Sequence, residues 1–335
     1  MPDYQPPWWL RNGHAMTLVA SLRRREFPAL PDAETRVFDV APGARVMAKC
    51  HWQAVRGECP TIVVLHGLEG SASAPYVKGI AEKAFRAGFN VVRLNQRNCG
   101  HTEHLSVTLY HSGLSEDPAA VVSELIGSDG LRSISVAGYS LGGNLALRLA
   151  GVYGDAVPPE LHSISAVSPP IDLVRTSAEI ERPSNWLYQR RFVKDLKARL
   201  RCKAELFPDR YSIARLARVR TIREFDNEYT APHFRFRNAE DYYRRASALA
   251  VAGRIRVPTL IISAEDDPFT PVAPLTDEAV ACNSHITVVL TRHGGHCGYI
   301  ERGARERATD GFWAERQVVE FARRHARLDT RRTPA

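Results

Sequence analysis

Gly138-Tyr139-Ser140-Leu141-Gly142-Gly143 is the stretch on which the reading of this chain turns. An apolar run, Ile134-Ser135-Val136-Ala137, enters it, and a helix-forming run, Asn144 to Ala150, leaves it. Strand, sharp turn with serine at the tip, then helix is the setting in which G-x-S-x-G presents a nucleophile. Such a turn strains the serine backbone, so the residues two before and two after must be small. Gly138 and Gly142 meet that need, and Gly143 allows close packing of helix on strand. The hydroxyl is then exposed at the carboxyl edge of a sheet, beside the positive end of a helix dipole. The alternative is a plain glycine-rich turn. The rest of the chain decides between them by supplying, or not, a base, an acid and an oxyanion site.

A serine hydroxyl needs an adjacent base to act as a nucleophile near neutral pH. Two later loops offer partners in the order Ser, acid, His. Ala264-Glu265-Asp266-Asp267-Pro268 follows the apolar run Thr259–Ser263, and Arg292-His293-Gly294-Gly295-His296 follows Ile286–Leu290. Both loops are expected at the same sheet edge as Ser140, where residues distant in sequence converge. Asp267 is the preferred acid because Pro268 fixes the turn after it, with Asp266 as alternate. His296, among glycines that permit close approach, is preferred as base over His293. For the oxyanion, the backbone N–H groups of Leu141 and Leu68 are the candidates. Leu68 follows Thr61–Leu65 in His66-Gly67-Leu68-Glu69-Gly70. His66 is read as a residue that shapes this loop rather than as a second base.

Around these loops the chain alternates strand and helix. Strands are expected at Arg36–Val40, Arg45–Trp52, Thr61–Leu65, Asn90–Leu94, Ser133–Ala137, His162–Val167, Thr259–Ser263 and Ile286–Leu290. Helices are expected at about 74–87, 116–126 and 312–324, with a short one from His14 to Arg24 capped by Asn12. This rhythm predicts an α/β fold with a mostly parallel sheet covered by helices on both faces. After Pro169-Pro170 the rhythm breaks. Residues 171–250 show no convincing strand, and helices are expected at 185–200, 212–225 and 238–250. The segment holds 11 of the 28 aromatic residues and reads as a cap over the site. The layout expected is an arm at 1–35, a core at 36–170 and 251–328, a cap at 171–250 and a tail at 329–335. The arm carries Trp8 and Trp9 near Arg23, Arg24 and Arg25. Packing of these rings on the parent domain is the expectation, and peripheral contact with a membrane surface is the alternative.

Bulk composition narrows the function classes. The 335 residues are 44% hydrophobic and 24% charged, enough apolar content for a sizeable core. The net charge is +8, yet residues 171–250 alone carry 18 Lys and Arg against 11 Asp and Glu, a net of +7. The basic character belongs to one segment, so nucleic acid is not an expected partner. Six scattered Cys without a CxxC pair suggest neither a zinc site nor a disulfide framework, and fit free thiols in a cytoplasmic protein. No secretory signal and no apolar run of about 18 residues are visible. No metal or cofactor is implied.

Taken together, separated stretches resemble the α/β-hydrolase superfamily and, within it, the YheT/EMB8-like group. The match is carried by Trp9–His14, His66–Ser71, Arg97-Asn98-Cys99-Gly100 leading to Tyr110-His111-Ser112-Gly113, and Gly138–Asn144. Phe225-Asp226 through Tyr242-Tyr243, Asp266–Phe269 and Gly295-His296 complete it. The resemblance implies a Ser-Asp-His hydrolase of carboxylic esters, with Ser140 as nucleophile, Asp267 as acid and His296 as base. Asn98 stands where many relatives have Gly, and His101 where small or acidic residues are common. The expected activity is hydrolysis of short- to medium-chain acyl esters, monoacylglycerols among them, through an acyl-enzyme. The alternatives are a lipid hydrolase docking on membranes, a thioesterase, and a non-catalytic ligand-binding protein on the same fold. Oligomeric state is not legible from the sequence.

Overall fold

The computed structural model describes residues 4–304 and 309–327. The tail expected at 329–335 lies outside the described residues. Among the described residues, eight strands form one sheet: β1 (Glu34–Ala41), β2 (Ala44–His51), β3 (Thr61–Leu65), β4 (Asn90–Leu94), β5 (Ile134–Tyr139), β6 (Leu161–Val167), β7 (Thr259–Ala264) and β8 (Ile286–Thr291). Their order is β1-β2-β4-β3-β5-β6-β7-β8. β2 runs antiparallel to β1 and β4, and every other neighbouring pair is parallel. The β1–β2 hairpin turns at Pro42-Gly43, with Gly43 at φ +69.

Alternation along the strands sorts side chains onto two faces. Val63, Leu65, Val92, Leu94 and Val136 pack on one side with α3 (Glu116–Gly127) and α4 (Leu141–Tyr153). Their chain neighbours Ile62, Val64, Val91 and Ala137 pack on the other with α2 (Pro75–Arg86) and the helix Trp313–His325. With both faces covered, β3, β4 and β5 are buried throughout, as continuous apolar runs require.

The strand order places the site. From β3 the chain crosses to β4 on one side, whereas β5 lies on the other, with Leu65 beside Gly138. The crevice beyond the carboxyl ends of β3 and β5 is a topological switch point, where open α/β sheets bind ligands.

The insert between β6 and β7 departs from expectation in detail. Among the described residues it contains no strand. It begins with an unanticipated helix, α5 (Leu173–Ile180), whose N-cap Asp172 accepts from the Val174 and Arg175 N–H groups. The next helix, α6 (Trp186–Leu206), runs six residues past the expected end. The helix expected at 212–225 is not formed. Only a 3₁₀ turn at Leu216–Arg218 and the helix Ile222–Phe225 are present. Thr221 and Glu224 make a reciprocal capping box that starts a new helix there. Leu216 and Val219 turn inward onto Val193, Leu196 and Leu200. The helix expected at 238–250 breaks at Ser247, giving Ala239–Ala246 and Leu249–Ala252.

The arm also differs from expectation. Trp8 and Trp9 do not pack on the domain; they are 81% and 54% exposed. Leu10 is buried instead, against Met16, Ile300 and Phe312. α1 (Gly13–Leu22) follows, capped by the Asn12 side chain.

Candidate active site

Ser140 sits between β5 and α4 at φ +52 and ψ −123, a region L-residues rarely occupy. The flanking glycines are there for space. A Cβ on Gly138 would lie 2.0 Å from the Gly142 carbonyl oxygen, and one on Gly142 would lie 2.5 Å from the Leu65 and His66 carbonyl oxygens. The hairpin-tight turn is held by the Gly143 and Asn144 N–H groups donating to the Ser140 carbonyl.

The loops after β7 and β8 bring their residues to this serine. Ser140 Oγ lies 2.9 Å from His296 Nε2. His296 Nδ1 lies 2.9 and 3.1 Å from the two Asp267 carboxylate oxygens. The Asp267 side chain is fully buried, and its Oδ1 accepts from the Phe269 and Thr270 N–H groups. These contacts fix the imidazole with its proton on Nδ1 and its lone pair on Nε2, facing the serine. Burial works against both charges. For Asp267 the imidazole beside it and the donated hydrogen bonds outweigh burial, holding the carboxyl below its usual range. For His296, burial is outweighed by the Asp267 carboxylate, which raises the imidazole well above the ordinary histidine value. Phe269 packs against the His296 ring at 4.6 Å between centroids.

The alternates form a separate pair. Asp266 accepts from the Gly295 N–H at 2.8 Å and faces His293 Nδ1 at 3.3 Å. Thus Asp267 and His296 meet Ser140, while Asp266 and His293 brace the loop that carries His296.

Opposite Ser140, the loop after β3 is set by His66. This residue is fully buried, with Nδ1 2.7 Å from the Gly67 carbonyl, and its Nε2 accepts from the Gln96 N–H. Burial pushes its pKa down to about 4, so it is neutral and shapes the loop. A Cβ on Gly67 would lie 3.2 Å from the Ser140 Cβ, which measures how closely loop and nucleophile approach. Leu68 and Leu141 both line the cavity at Ser140. Among the described residues, neither backbone N–H has a protein acceptor.

That cavity encloses about 110 Å³ beneath the insert. Leu173, Ile180, Phe192 and Leu196 give it apolar walls, interrupted by Arg199 and Asp226. Burial pushes the Asp226 carboxyl up to about 6. Its Oδ2 accepts from the Tyr243 hydroxyl at 2.6 Å. Among the described residues, no cluster of His, Cys, Asp and Glu suited to a metal ion is present.

Several contributors to this site went unnoticed in the sequence. The His296 N–H donates to Thr17 Oγ1 at 2.8 Å, and Gly13 lies so close to Asp266 that a Cβ would meet its carbonyl oxygen at 1.7 Å. α1 is therefore a buttress of the acid and histidine loops rather than a separate arm. The motif Trp9–His14 carried that signal without its meaning. Asn98 and His101 adopt φ +64 and +65, a left-handed region that asparagine enters more readily than most residues other than glycine.

The fold and this site define an α/β hydrolase. A model of the α/β-hydrolase fold family matches residues 60–303. The chain is 34% identical over 303 residues to the putative esterase YheT of Escherichia coli, covering 89% of this chain and 87% of that protein. It is 29% identical over 243 residues to phospholipase ABHD3 of Mus musculus, covering 72% of this chain and 59% of that protein. Among solved structures, an esterase of Pyrococcus furiosus superposes with a TM-score of 0.58 at 19% identity, covering 97% of this chain and 98% of that one. The chain belongs to the α/β-hydrolase family, and it is a hydrolase.

Proposed function

We propose that this hydrolase cleaves carboxylic esters of short to medium acyl chain through a Ser140-His296-Asp267 triad. The observation that carries the reading is the continuous hydrogen-bonded line from Ser140 Oγ through His296 to the buried Asp267. In the forward step, Ser140 Oγ attacks the ester carbonyl while its proton passes to His296 Nε2. The oxygen of the tetrahedral intermediate takes the Leu68 and Leu141 N–H groups, and Asp267 stabilises the imidazolium. The C–O bond to the alcohol then breaks, and His296 returns the proton to the departing alkoxide. Water repeats the sequence on the acyl-enzyme, with His296 as base, and releases the acid and free Ser140.

The apolar wall suits an alkyl chain, and Asp226 limits its length, since methylenes packed against it would desolvate a polar group. Steady-state kcat/KM over p-nitrophenyl esters from acetate to dodecanoate is expected to peak at short to medium chains. Activity should fall on the acid side with an apparent pKa above the ordinary histidine value of about 6.5. The sign follows from the base: His296 must be neutral to accept the serine proton, and Asp267 favours its charged form. A profile flat with chain length overturns the chain-length preference, and turnover confined to thioesters overturns the ester assignment.

We also propose peripheral contact with an anionic lipid surface. Trp186 is 52% and Leu187 62% exposed at the start of α6, and the His14 ring stacks on Tyr188 there. The stack joins α1 to the start of α6, and Trp8 and Trp9 are exposed on the segment just before α1. Arg190, Arg191 and Lys194 are exposed further along α6. Aromatic rings with flanking cations suit a lipid headgroup layer. Among the described residues no helix is long and apolar enough to cross a membrane. Co-sedimentation with phosphatidylglycerol-containing vesicles is expected for the wild type and should weaken by about tenfold or more in Trp8→Ala/Trp9→Ala. Equal sedimentation of the two proteins removes the idea.

A further inference from the structure

Glu69, immediately after Leu68, adopts φ +55, a left-handed conformation unusual for a glutamate. Three contacts hold it there. Its backbone N–H donates to the Tyr110 hydroxyl oxygen at 3.1 Å, and that hydroxyl donates back to Glu69 Oε1 at 2.8 Å. The other carboxylate oxygen accepts from Arg199 Nε at 2.8 Å. Arg199 lies on α6, in the insert, and also donates to Glu103 Oε1 at 3.2 Å. Its side chain is 11% exposed and that of Glu69 4%. One turn further on, the fully buried Lys203 donates to the Glu103 and Ser106 carbonyls, tying the same helix to the loop after β4.

The Leu68 N–H is aimed by the backbone on either side of it. On one side His66 and Tyr76 hold Gly67, the latter by accepting its N–H at 2.8 Å. On the other side, among the described residues, the only side-chain restraint reaching beyond the core is the Arg199 guanidinium. A guanidinium donating through Nε to a largely buried carboxylate is a directional contact, and lysine does not reproduce it.

We propose that Arg199 is a positioning residue: through Glu69 it sets the direction of the Leu68 N–H, so the oxyanion site is complete only when α6 lies over the cavity. The pair thereby couples seating of the insert to the chemical step. This inference rests on the role proposed above for Ser140 and Leu68.

The test measures kcat and KM for p-nitrophenyl acetate, whose acyl group is too short to depend on the cavity wall, together with inhibition by octanoate. Arg199→Met is expected to lower kcat by about 10- to 100-fold, a fraction of the loss on removing an oxyanion donor outright. KM and the octanoate inhibition constant should stay within about threefold. Arg199→Lys should recover part of the loss. Glu69→Gln keeps the Tyr110 contacts and removes the ion pair, so it should lower kcat similarly. The double variant should be no worse than the poorer single one. The proposal is overturned if Arg199→Met raises KM or weakens octanoate binding while kcat holds, which marks a purely structural wall residue. Multiplying effects in the double variant also overturn it. Should Arg199→Met not fold, Glu69→Gln and Arg199→Lys decide by the same split. Undiminished turnover in Ser140→Ala instead removes the underlying reading, and is distinct from either outcome.

Discussion

Ser140→Ala is expected to lower kcat for p-nitrophenyl butanoate by on the order of 10⁴- to 10⁶-fold, with the fold intact. The loss is large because in the proposed mechanism Oγ is the atom that forms the acyl bond, and alanine offers no nucleophile in its place. The fold survives because the strain at this position is in the backbone, at φ +52, and alanine carries the same Cβ into the same conformation. The substitution removes one hydrogen bond, to His296, so thermal unfolding should change by about 1 kcal/mol or less. Kinetics and melting measured on the same preparation therefore separate chemistry from folding. Turnover within about tenfold of wild type would exclude a serine nucleophile. A wild type without ester turnover, and a variant that binds ligand unchanged, would identify a binding protein on this fold.

Much of this centre was legible because its parts sit at the ends of sheet strands, β3, β5 and β7 buried throughout and β8 half-exposed at the sheet edge. Thr61–Leu65, Ile134–Tyr139, Thr259–Ala264 and Ile286–Thr291 are short apolar runs, and a loop must follow each at one sheet edge. Ser140, Asp267 and His296 stand in those loops, so proximity follows from topology without knowledge of side-chain packing. The choice between adjacent candidates was harder, and Pro268 and the glycines before His296 supplied the only local clues. What lay beyond reach depends on contacts between distant segments. Arg199 and Glu69 are 130 residues apart, and Thr17 and His296 are 279 apart. No local pattern marks such pairs. The insert failed locally for a related reason. Apart from α6 its helices are short, and Leu216 and Val219 find partners on α6 that override the helical tendency of 212–225. The arm misled because aromatic rings were expected inside, whereas Leu10, Met16 and Thr17 do the packing.

Asp267→Asn is expected to lower kcat by about 10³- to 10⁴-fold, while Asp266→Asn lowers it by less than about tenfold. The two residues are neighbours and the change is the same, so the contrast isolates position. At Asp267, Oδ1 accepts from the Phe269 and Thr270 N–H groups, and in the variant these will hold the amide oxygen. The NH₂ group then faces His296 Nδ1, now 2.9 Å from Oδ2. Two donors cannot share that contact, so the imidazole places its lone pair on Nδ1 and its proton on Nε2. The nitrogen facing Ser140 becomes a donor, and the serine proton has no acceptor. Loss of the charge also removes what holds the His296 pKa up. Any residual activity should therefore keep its pH dependence to lower pH than the wild type. At Asp266, by contrast, the amide oxygen still accepts from the Gly295 N–H, and the lost charge faces His293, which does not touch Ser140. Equal losses in the two variants would mean that the histidine loop takes its orientation from Asp266 as much as from Asp267. A larger loss at Asp266 would exchange their roles. Only the predicted asymmetry fits a single buried carboxylate that fixes the tautomer of His296.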